Sequence, residues 1–165
     1  LEGRSSLSEN TGATTSTLNF EDVATLFHGI LFAYQKATSD ILGSGTAVFA
    51  HPILDIIRKI SERTGINLVE GKDLDKVFEN FARILPTSGV AKGVRFEKLA
   101  DEKYVLHIDE CAWARHIHSE LKPEDVTCPL ALLAMAVFEE ITGKRVKLAH
   151  SKYMSDGTKT TITRL

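Results

Sequence analysis

The amino-acid sequence predicts an α+β fold: a helical N-terminal half packed on an antiparallel sheet of two hairpins, with a buried helix at the centre. Three observations carry this expectation. Apolar residues recur at spacings of three and four as far as residue 85, they alternate with polar residues around Val94–Ile108 and again near the C-terminus, and between Leu130 and Phe138 no polar face interrupts them. With 165 residues, 43% hydrophobic and 25% charged, the chain has the length and composition of one domain with a real core.

Residues 1–18 are rich in Ser, Thr, Gly and Asn and lack an apolar period, so a flexible tail is expected there and a single domain over 19–165. Asn19, followed by Glu21 and Asp22, has the composition of a helix start. Val23, Leu26, Phe27, Ile30, Leu31 and Tyr34 give the helix over 20–40 a broad apolar face, and Gly43-Ser44-Gly45 ends it. A second helix is expected over 47–64, with Pro52 starting or kinking it and Gly65 as its cap. A third runs over 73–85 from Asp73 until Pro86 and Gly89 stop it.

The period then changes to two. Val94, Phe96 and Leu99 alternate with polar residues, as do Tyr104, Leu106 and Ile108 beyond a turn at Asp101-Glu102, which predicts an antiparallel hairpin. A short helix is expected over 110–121. Pro129 suits the first position of a helix reaching 142 and closed by Gly143. Being apolar on all sides, that helix belongs at the centre of the fold. Residues 146–153 and 158–163 make a second hairpin across Asp156-Gly157, a favoured tight-turn pair.

Charge and cysteine content narrow the function. A net charge of −2 with scattered lysines and arginines offers no basic face for nucleic acid. No apolar run reaches the roughly 18–20 residues of a spanning helix, and two cysteines cannot build a disulfide framework, so no membrane partner and a cytoplasmic setting are expected.

Both cysteines and four of the six histidines fall between residues 107 and 150. Thiolate and imidazole are the ligands that zinc takes in a closed tetrahedral shell. Cys111, His116, His118, Cys128 and His150 are therefore the candidate metal ligands, with Cys111, His118, Cys128 and His150 the first quartet and His116 the first substitute. The same cysteines read equally well as small buried hydrophobes. Cys111 as a nucleophile, with His116 or His118 as its base, lacks any accompanying oxyanion-hole motif.

Cys128-Pro129-Leu130-Ala131 opening a wholly apolar helix, then Glu139-Glu140-Ile141-Thr142-Gly143-Lys144 and a terminal hairpin, resembles the 4-vinyl reductase family of small-molecule-binding domains, which includes archaeal hydrocarbon-binding proteins. The resemblance covers residues 90–165. In the family the hairpin carries Glu, Cys, Gly and Cys where this chain has His150, Tyr153, Gly157 and Thr161. It implies zinc held by the helix-start cysteine and hairpin residues; here Cys128 matches and His150 replaces the Glu.

The resemblance also implies an apolar cavity for a small hydrophobic or aromatic ligand, with Phe27, Leu31, Tyr34, Phe49, Phe78, Phe81 and Trp113 as its candidate lining. Zinc would then be structural. An enzyme, as the family name suggests, would be a reductase acting on a vinyl or tetrapyrrole-like substrate, but the chain has neither a dinucleotide fingerprint nor a catalytic triad. The third reading is a purely structural dimerisation module, because an antiparallel sheet or a long apolar helix leaves surface for a homodimer.

Overall fold

In the computed structural model, residues 19–43, 46–114, 117–122, 126–149 and 151–165 are described, residues 46–51 by their backbone alone. The expected tail, His116 and His150 lie outside the described residues, as does the side chain of Phe49. Three helices come first: α1 (Phe20–Leu42), α2 (Thr46–Thr64) and α3 (Leu74–Ile84). Strands β1 (Ala91–Ala100) and β2 (Lys103–Cys111) follow, then α4 (Pro129–Thr142), then β3 (Val146–Leu148), β4 (Lys152–Tyr153) and β5 (Thr158–Arg164). The architecture is α+β.

Local signals set the helix ends. Asn19 and Asp22 exchange side-chain-to-backbone bonds of 3.0 and 3.1 Å, a capping box that opens α1, and Gly43 closes it in the left-handed conformation. The Asp73 carboxylate accepts from the amides of Asp75 and Lys76 at the start of α3. Pro52 lies inside α2 and does not begin it.

The antiparallel sheet has the order β1-β2-β5-β3, with β4 also paired to β5. Its register places Val94, Ile108 and Thr158 in one inward row and Phe96, Leu106 and Thr160 in the next. On this face α3 lays Phe78 and Phe81. Phe78 stacks on Phe96 with ring centroids 4.0 Å apart, and Tyr104 and Phe138 meet its edge and flank. Helix α4 is buried from Leu130 to Phe138, as its uninterrupted apolar run requires.

Among the described residues of 110–121, the expected short helix is replaced by strand, turn and a 3-10 turn. Strand β2 continues to Cys111, because Cys111 N–H donates to Asp156 O at 2.8 Å and Ala112 N–H to Val90 O at 2.8 Å. These bonds satisfy the backbone as sheet neighbours, and only a 3-10 turn at His118–Glu120 remains helical. The second hairpin is also more broken than its alternation suggests. Between β3 and β4 the buried Ser151 turns inward to bond Thr160 Oγ1 at 2.7 Å and to accept from Cys128 N–H at 3.0 Å.

Candidate functional site: the two faces of the N-terminal helix

Helix α1 presents two faces of opposite character. Its inner face consists of Ala24, His28, Phe32 and Gln35, all buried. Gln35 pairs with Thr127 as one strand residue pairs with another: its Nε2 donates to Thr127 O and its Oε1 accepts from Thr127 N–H, both at 2.9 Å. At Gly29 an added Cβ would stand 3.3 Å from Ile117 Cδ1, so the absence of a side chain lets the helix lie close.

His28 occupies an aromatic nest. Phe32 lies 4.1 Å from its ring centroid, Trp113 5.0 Å and His118 5.6 Å, and Tyr153 closes the nest against Phe32 and His118. The imidazole is 1% exposed and neither ring nitrogen has a hydrogen-bond partner. Burial, then the neighbouring His118, holds its pKa down at about 3, because a charged ring here would lose its water and face a second imidazole. Burial also lowers His118, whose Nδ1 lies 3.1 Å from Met154 O.

The outer face is apolar and open to solvent. Phe20, Val23, Phe27, Ile30, Tyr34, Ala37 and Ile41 follow one another at spacings of three and four, the stripe by which one helix packs along another. Phe27 is 60% exposed, Tyr34 64% and Ile41 79%. Leu26 and Leu31 widen the stripe, and no charged residue falls within it.

The expected pocket residues therefore separate. Phe27, Leu31 and Tyr34 stand on the outer face of α1, Phe78 and Phe81 are packed solid between α3 and the sheet, and Trp113 packs edge-on to His28. Two surface recesses are lined by described residues. One of about 530 Å3 lies between α2 and the end of α4, lined in part by Arg58, Lys72 and Glu140, and another of about 530 Å3 lies beside His118, Tyr153 and Met154.

Three of the five expected metal ligands are among the described residues. Cys111 and Cys128 belong to the core, where burial pushes the Cys111 thiol up to about 12 and raises Cys128 too. Thr158 Oγ1 donates to Cys128 Sγ at 3.4 Å. His118 turns toward His28 and Met154. Among the described residues no three His, Cys, Asp or Glu side chains gather where one ion could hold them, and His116 and His150 lie outside those residues.

The sequence reading missed His28 and Gln35. Their signal was the spacing Ala24, His28, Phe32, Gln35, a narrow arc at four, four and three. A much stronger apolar arc on the same helix masked it.

No family model and no curated protein matches the chain. Among solved structures it is similar to a trafficking protein particle complex subunit 3 from Naegleria fowleri, crystallised covalently bound to palmitic acid, with a TM-score of 0.49 and 13% identity over 88% of this chain and 94% of that one.

Proposed function

We propose that this protein is an association module, whose working surface is the outer face of α1 and whose contact is an amphipathic helix with a matching apolar stripe. One observation carries the reading: an uncharged stripe of large side chains runs the length of a 23-residue helix and stays in water. Isolated exposed apolar residues are ordinary on a protein surface, whereas a contiguous patch beyond a few hundred Å2 marks an interaction site. The 3-4 spacing suits a helix as the contacting element, because it lets side chains of two helices interdigitate.

This reading differs from the ligand-binding and zinc functions implied by the family resemblance, which find no lining or ligand set among the described residues. It also needs no chemistry from the two buried thiols. The test is a charge placed in the stripe. Ile30→Lys with Tyr34→Lys should weaken association by more than about 100-fold, since an ammonium buried against an apolar face has no partner. Far-UV circular dichroism should stay unchanged, because both positions are exposed. Sedimentation velocity reads the particle size. Wild-type protein that sediments as a single folded chain at every concentration and in every mixture would sink the proposal.

A further inference from the structure

Resting on that reading, the geometry points to the occupant of the stripe: we infer that it is α1 of a second copy, the two helices lying antiparallel about a two-fold axis midway between Phe27 and Ile30. Area is the first argument. With large apolar and aromatic side chains offering about 150–250 Å2 each, the exposed fractions from Phe20 to Leu42 leave on the order of 900 Å2 on this face. A standard stable interface takes roughly 800 Å2 from each partner. One α1 therefore supplies enough surface for a pair of chains without help from another element.

Symmetry is the second argument. In a two-fold contact the same surface must complement itself. The stripe places aromatic residues at Phe20, Phe27 and Tyr34 and smaller ones at Val23, Ile30 and Ala37, so an antiparallel partner sets bulky positions against smaller ones along its length. Direction follows from charge. Glu21 and Asp22 occupy the first turn and no basic residue occupies the last. Parallel helices would bring two acidic turns and two like dipole ends together, whereas antiparallel helices hold them more than about 20 Å apart.

The chain's own opening residues are a poor alternative. Residues 1–17 contain only Leu1 and Leu7 as large apolar side chains, too few to cover the stripe.

Cysteine cross-linking of the full chain tests both occupant and direction. Cys111 and Cys128 are buried, and wild-type protein treated in parallel gives the background. Near the axis, Ile30→Cys should cross-link to itself and give a species of twice 18.2 kDa. Phe20→Cys should not, because an antiparallel partner's residue 20 lies about 25 Å away along the helix. Self-cross-linking at both positions would overturn the antiparallel arrangement. Protein that sediments as one chain alone, yet forms a stoichiometric complex with another purified protein through α1, would overturn the second copy and leave the association module standing. One chain under all conditions, with α1 engaging nothing, would overturn both.

Discussion

His28 is the residue whose environment is least matched to its chemistry. Its imidazole carries two polar nitrogens into a nest of Phe32, Trp113 and His118 and finds a partner for neither. A buried polar group without a hydrogen bond costs about 1–3 kcal/mol. His28→Phe keeps a planar ring of similar size and removes that cost, so it should raise the unfolding free energy by about 1–2 kcal/mol in urea denaturation. The pH dependence should change with it. In the unfolded chain His28 titrates near 6.5, the ordinary value for histidine, and in the folded chain near 3. The folded state therefore resists protonation, its stability is complete above pH 6.5, and it falls as pH drops from 6.5 toward 3. His28→Phe should flatten that slope, and an unchanged slope would place the acid sensitivity elsewhere.

At the scale of elements, α1 is tied to the segment before α4 through Gln35. Its paired bonds with Thr127 mean that Gln35→Ala should cost about 1–3 kcal/mol by leaving Thr127 N–H and C=O unmatched. Hydrogen exchange should report the loss first along α1 and leave α4 protected. The contact between β2 and the β5 turn is tighter. A Cβ at Gly157 would stand 2.0 Å from Ile108 O, so Gly157→Ala must push β5 off β2, and unfolding at a visibly lower temperature is expected. The elements themselves were largely legible in the sequence. The helix start at Asn19 and Pro129 at the first position of α4 act locally, and the structure keeps them, whereas Asp156 and Gly157 lie in the four residues between β4 and β5, where Gly157 lacks the positive φ of a tight two-residue turn. Residues 110–121 were not legible, because the partners that draw Cys111 and Ala112 into the sheet are Asp156 and Val90, both distant in sequence. The face of α1 was legible only as a stripe: periodicity locates an apolar stripe but does not say whether this chain or another molecule covers it.

In the molecule as a whole, the core is complete without α1. Phe78, Phe81, Phe96, Tyr104 and Phe138 interlock between α3, the sheet and α4, and the candidate pocket residues on α3 are part of that packing. Truncation of Phe78 to alanine should cost about 3–5 kcal/mol, the penalty for a large cavity among aromatic rings, as chemical denaturation would measure. The metal reading also turns on this scale, since two of its five residues, His116 and His150, lie outside the described ones. Clustering in sequence gathered Cys111, His118 and Cys128, but the fold sends both thiols into apolar packing and turns the imidazole toward α1.

Strand β1 lies at one edge of the sheet, ten residues long, with Lys92, Arg95, Glu97 and Lys98 along it. Long edge strands are templates for β-sheet growth, and charged side chains, lysine above all, discourage it. Chains that repel one another at that edge and attract one another through a helix have a route to a closed particle and none to a fibril. On concentration, light scattering should level off at a finite size, and an amyloid-sensing dye should stay dark.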